Sequence, residues 1–208
     1  MTFEEVCTAG DFLRYYYADL RYISNFQSFL KDETNSHEFL APGLGSFYNF
    51  LVEFKIIRNI EKGSALDLLR LTKNWCEMSV ADDVDAFAQR LKQRSFSRNA
   101  ILSSLASKVL FLNNPWKILP MDALGRKALL QRGNLYSDYL PRVSAFAKQN
   151  SSIIEEHLDN LNSYCEKVEE EFKNKLPQIK TIRKNRFIDK LLWVQGLNSR
   201  TGFSRSRE

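Results

Sequence analysis

Apolar residues recur at intervals of three and four along most of this chain, while β-branched alternation never runs beyond four residues. That pattern predicts helices and no strands. Thr2-Phe3-Glu4-Glu5 pairs a hydroxyl with a carboxylate three residues on, the arrangement that caps a helix at both donors. From Phe12 to Leu30 the aromatics Phe12, Tyr15, Tyr16, Tyr17, Tyr22, Phe26 and Phe29 fall largely on one helical face. Lys31 to Phe39 is polar and reads as a loop. Leu40-Ala41-Pro42-Gly43-Leu44-Gly45-Ser46 then turns into an apolar helix from Phe47 to about Ile57, and Ser64 introduces another from Ala65 to about Met78. Val80-Ala81-Asp82-Asp83 opens a helix reaching about Lys92, and Asn134 to Lys148 reads as a helix kinked at Pro141.

The C-terminal third carries the longest regular pattern. After Ser151-Ser152, Ile154, Leu158, Leu161, Cys165, Val168, Phe172 and Leu176 step by three and four. They predict one long helix with a narrow apolar seam suited to lie along another helix. Its opposite face carries Glu155, Glu156, Glu166, Glu169 and Glu170 and is expected to face water. Pro177 ends it. A final helix runs from Lys180 to about Val194, with Gly196 placed to terminate it. The expected fold class is therefore all-α: a multi-helix globular domain with a long C-terminal helix and a basic tail. Residues 1–197 form either one helical domain or two lobes, 1–95 and 96–197, with 198–208 as a flexible tail.

Composition narrows the class. Hydrophobic residues make up 44% of 208, enough for a sizeable core. No apolar run approaches the roughly 20 residues of a membrane span, and the first residues lack the basic and apolar regions of a secretory leader. Cys7, Cys76 and Cys165 are odd in number and far apart, which argues against a disulfide framework or a cysteine metal knuckle. These features point to a cytoplasmic protein without a membrane partner. His37 and His157 stand alone, and neither a zinc helix, a phosphate loop nor a nucleophile elbow is present. Asp82, Asp83 and Asp85 cluster at a helix start, where capping accounts for them better than a metal does. The expectation is no metal and no cofactor.

Charge adds a partner. Residues 173–208 hold ten Lys/Arg against Asp189 and Glu208, a balance of +8 in a chain of net charge +5, so residues 1–172 carry −3. Cations gathered at one end suit a polyanion, or a solvated tail. Arg14 and Arg21 among the N-terminal aromatics suit base stacking, although such a stripe is more often core. The Pro-Gly-x-Gly turn before Phe47 exposes N–H groups that can hold a phosphate, or simply starts a helix.

The densest signal lies in residues 99–130. A helix ends in Asn113-Asn114-Pro115-Trp116, and a short loop delivers Pro120-Met121-Asp122 to the head of a second helix. An Asp in that place caps the helix, a contribution of about 1 kcal/mol. With Ala106-Ser107-Lys108-Val109-Leu110 as the first helix, this order resembles the catalytic segment of the helix-hairpin-helix DNA glycosylases, the 8-oxoguanine DNA glycosylase fold in particular. The resemblance covers about 30 residues. It implies a glycosylase-like fold, a DNA partner more than an RNA one, and residual glycosylase or lyase activity with Lys108 and Asp122 at the site. Asp122 would steady positive charge on the sugar. The hairpin glycines are replaced by Ser95-Phe96-Ser97-Arg98-Asn99, and the nucleophilic lysine's place falls near Leu102 or Ser103. Lys108 is then a displaced nucleophile, a phosphate contact, or a partner for Asp122. Arg186-Phe187-Ile188-Asp189-Lys190-Leu191-Leu192-Trp193 is similar to a C-terminal element of bacterial helical proteins with the same Ser-Lys…Pro…Asp segment. The nucleic-acid-binding residues expected on this reading are Lys117, Arg126, Lys127, Arg183, Lys184 and Arg186. The alternative is a non-catalytic subunit of a bacterial defence or regulatory assembly, with a protein partner along the Ile154–Leu176 helix.

Overall fold

The N-terminal aromatic stripe forms a single helix, α1 (Phe3–Leu30), in the computed structural model, which describes residues 2–96 and 102–198. Its start is the capping box read from the sequence: the Glu5 N–H donates to Thr2 Oγ1 at 3.3 Å and the Thr2 N–H to Glu5 Oε2 at 2.6 Å. Phe12, Tyr16, Tyr22, Phe26 and Phe29 are buried, so the stripe is core. Arg14 and Arg21 lie over the rings of their own helix neighbours Tyr15 and Tyr17, at 5.2 and 5.6 Å.

The expected loop at 31–39 contains a short helix, α2 (Ser36–Leu40). Asn35 caps it by accepting from Glu38 N–H at 2.9 Å, and Phe39 stacks on Phe29 at 5.2 Å. One buried aromatic is enough to fold a polar segment onto the core. α3 (Phe47–Glu53) starts at the Pro-Gly-x-Gly turn, where Ser46 Oγ accepts from Asn49 N–H at 3.2 Å. Gly45, at φ 77°, lets that turn dock on α1: a Cβ there would stand 2.9 Å from Arg21 Cγ, and Asn25 donates to its carbonyl at 3.0 Å. The turn starts a helix against α1. α3 also stops earlier than its apolar run suggests, because Lys55 takes φ 57°, and a single 3₁₀ turn follows at Ile57–Asn59.

α4 (Ala65–Cys76) and α5 (Val84–Gln93) present Leu68, Leu69, Trp75, Phe87 and Leu91 inward, with Asp83 capping α5 through Ala86 N–H at 2.9 Å. α6 (Ser103–Asn113) is buried nearly all round and packs between α1 and α5. α7 (Ala123–Ala128) and α8 (Tyr136–Gln149) follow, and α8 passes through the exposed Pro141 as one helix.

The segment expected as one long helix over 151–176 is broken into α9 (Ser151–Asn160), α10 (Asn162–Glu169) and a run of turns. A straight helix cannot keep a seam against a curved core over that length, and the breaks let it follow the surface. Ile154, Cys165, Phe172 and Leu176 are buried, while Leu158, Leu161 and Val168 pack against the same core. The seam expected to meet a protein partner is therefore covered by this chain's own helices. α11 (Ile179–Asn198) closes the fold against α1, α7 and α9. Gly196 lies inside α11 instead of ending it, because α7 crosses there at backbone contact: a Cβ on Gly196 would sit 2.3 Å from the Leu124 carbonyl oxygen. One apolar cluster runs from Phe12 to Leu192. No strand occurs among the described residues, and no helix among them is long and apolar enough to cross a membrane. The expected tail lies outside the described residues from 199 onward.

Candidate functional site

The loop between α6 and α7 is pinned from four sides. Gln27 of α1 donates to the carbonyls of Leu112 and Asn113 at 3.0 and 2.7 Å, completing the open C-terminus of α6. Asn185 of α11 donates to the carbonyls of Pro115 and Trp116 at 3.0 and 3.1 Å. Tyr136 O–H accepts from Leu119 N–H, and Ser107 Oγ accepts from Met121 N–H, each at 2.9 Å. The result is a fixed position for Asp122. Its Oδ1 accepts from Gly125 N–H at 2.7 Å and caps α7, as the sequence indicates.

Lys108, from the middle of α6, points toward the same interior and donates to the Phe54 carbonyl at 3.0 Å. It forms no direct ion pair with Asp122. Burial lowers the Lys108 amine below its ordinary pKa, against the pull of Asp122 and Asp189. Burial raises the Asp122 carboxyl, helped by Asp189 and opposed by the Gly125 N–H and Lys108. Each group thus leans toward its neutral form, the direction that desolvation gives both signs of charge.

The third member of this buried polar group is Arg186. Its side chain is 1% exposed and faces two carboxylates, Asp19 at 2.8 Å and Asp189 at 3.0 Å. The Phe111 and Phe54 rings cover its faces at 4.9 and 5.8 Å. Burial alone would lower the Arg186 pKa, and the flanking Asp19 and Asp189 hold it above the ordinary value. A second buried pair lies nearby in sequence: Arg183 grips both oxygens of Glu169 at 2.7 and 2.6 Å and donates to Asn162 at 2.6 Å. Tyr16 O–H donates to the same carboxylate at 2.5 Å.

Arg183 and Arg186 were expected to contact phosphates. Both guanidiniums are instead buried and ion-paired with carboxylates, so neither reaches a phosphate without breaking an ion pair. Glu169, read as part of an exposed acidic face, is correspondingly internal at 6% exposed. Lys184 pairs at the surface with Glu155 at 3.4 Å, and Lys117 with Asp82 at 2.9 Å. Arg126 and Lys127 do share a surface. With Ala123, Leu130, Gln131 and Arg132 they line a depression of about 420 Å³ on the outer side of α7. Arg126 also ties down the following loop by donating to the Gly133 carbonyl at 3.0 Å. Arg132 was missed by sequence reading, although its spacing from Arg126 and Lys127 signals the same patch.

The acidic trio at the head of α5 divides its work. Asp83 caps α5, Asp82 takes Lys117 and accepts from Asn114 at 2.7 Å, and Asp85 reaches across to cap α8, accepting from Tyr136 and Ser137 N–H at 2.8 Å each. No group of three or more His, Cys, Asp or Glu among the described residues is arranged to hold a metal. His157 is buried beside Phe187, with Nε2 at 3.9 Å from Glu5. Compared with protein-family models, curated proteins and solved structures, the chain matches none.

Proposed function

We propose that this protein binds nucleic acid, duplex DNA in particular, through the outer side of α7. The observation that carries this reading is the depression itself: Arg126, Lys127 and Arg132 line it, and no carboxylate does. Cations that reach solvent along such a depression are the groups that release counterions when phosphates replace them. The DNA-glycosylase resemblance supports the same partner, since it centres on the loop that precedes this helix. The test is the anisotropy of a labelled duplex titrated at about 50 to 200 mM salt. Binding should weaken linearly on a log-log scale, and Lys127→Ala or Arg132→Ala should each reduce the slope by about one. A duplex that stays unbound at the lowest salt ends the proposal.

A second, enzymatic reading rests on Lys108. Its lowered pKa favours the neutral amine, the nucleophilic form. In this reading the amine adds to the aldehyde carbon of a ring-opened abasic sugar, water leaves, and an iminium joins Lys108 to the DNA. Asp122 lies within the same electrostatic field to steady that cation. Borohydride should trap a protein–DNA adduct with the native chain and none with Lys108→Ala. Trapping that is absent, or indifferent to Lys108, removes catalysis.

A further inference from the structure

α7 ends in a tight closure, with Leu130 N–H donating to the Lys127 carbonyl at 3.1 Å and Gln131 N–H to the Arg126 carbonyl at 2.8 Å. This closure puts Leu130 at φ 53°, the left-handed region where glycine is usual and a side chain is strained. Among the described residues, the other non-glycine positions of positive φ are Asp32, Lys55, Ser95 and Gln178, all polar. Leu130 is the apolar exception, and at 84% exposed it gains no packing in return. The turn beneath it is tied down by side chains. Gln131 is buried, and its side-chain amide donates to the carbonyls of Gly133 at 3.3 Å and Leu135 at 2.9 Å. Arg142 reaches the Leu129 carbonyl at 3.4 Å.

An apolar tip held out on a fixed loop and flanked by Arg126, Lys127 and Arg132 fits an occupant with an anionic outside and an apolar, layered inside. Resting on the nucleic-acid reading above, we infer that Leu130 is a wedge that enters the base stack of duplex DNA while the neighbouring cations hold the phosphates. Apolar side chains inserted at base steps unstack and kink a duplex in this manner. A tip already fixed in place loses little freedom on insertion.

The experiment uses a labelled duplex with 2-aminopurine at its centre, read by anisotropy and by 2-aminopurine fluorescence. The native chain should bind and raise the fluorescence as the probe base unstacks. Leu130→Gly should keep the salt slope, bind about tenfold more weakly and leave the fluorescence quenched. Its urea midpoint should equal or exceed the native one, because glycine suits φ 53°, so lost binding cannot be assigned to lost folding. Native-like binding and unstacking by Leu130→Gly overturns the wedge and leaves nucleic-acid binding standing. Failure of the native chain to bind any duplex at low salt overturns both. Leu130-dependent binding to phosphatidylcholine/phosphatidylserine vesicles, with none to duplex, also overturns the assignment to DNA.

Discussion

Lys108 and Asp122 carry opposite charges in one desolvated interior, and burial moves their pKa values toward each other. For Lys108 the folded value lies below the unfolded one near 10.4, so between the two the unfolded chain binds more protons and stability rises with pH. For Asp122 the folded value lies above the unfolded one near 3.9, and its contribution falls as pH rises through that interval. The two effects occupy opposite ends of the pH scale and can be measured apart. Urea unfolding of the native chain and of Lys108→Met at pH 7 and at about pH 9.5 should show the native chain gaining stability relative to the variant at the higher pH. A constant difference would mean that Lys108 is as well solvated in the folded protein as outside it. At this scale the sequence is readable where chemistry is local. Asp122 after a proline caps its helix because the acceptor and the donor are three residues apart. The burial of Arg183 and Arg186 was unreadable for the opposite reason: although Asp189 is local to Arg186, the carboxylates Glu169 and Asp19 that draw the two guanidiniums inward stand 14 and 167 residues away.

The elements show the same division. Apolar periodicity identifies which face of each segment is buried, and it places Ile154, Cys165, Phe172 and Leu176 inside. It says nothing about the curvature that the core imposes, so the breaks at Leu161 and after Glu169 are not in the pattern. Nor does a glycine announce whether it ends a helix or lets another one approach. Gly196 does the second, and α7 lies so close that a methyl group would collide with backbone atoms of Leu124, the nearest at 2.3 Å. A backbone atom cannot rotate away as a side chain can. Gly196→Ala should therefore destabilise by about 1–3 kcal/mol, the range of overpacked cores, even though alanine favours a helix. Hydrogen exchange locates the effect, with faster exchange expected in α7 and little change in α4. If the variant is as stable as the native chain, the α7–α11 crossing is looser than its geometry indicates.

The whole molecule is tied together by its two end helices. α1 and α11 share the aromatic core, and the Asp19–Arg186–Asp189 cluster joins them electrostatically inside it. Removing the guanidinium leaves two carboxylates in the interior without their cation, and such losses cost about 3–5 kcal/mol. Arg186→Met should shift the urea midpoint by that amount, while Asp19→Asn added to it should recover part of the loss. Circular dichroism and tryptophan fluorescence should report one common transition in both proteins. Separate transitions would mean that the two end helices unfold independently. The α7 depression lies on the outside of this frame, on a helix fixed to α11 by the Gly196 crossing.

The pairing of Asp19 with Arg186 across 167 residues also sets an order of events during synthesis. α1, carrying an aromatic stripe, leaves the ribosome well before α11, the helix that seals it. At about 5–20 residues per second the interval is roughly 10–30 s. Throughout that time Phe12, Tyr16 and their neighbours have no native cover from α11. A chain cut short before α11 keeps the sticky stripe and lacks the guanidinium that closes over it. Synthesis of α11 is thereby made a condition of covering the α1 stripe, and chains that lack it are left open to chaperones and proteases.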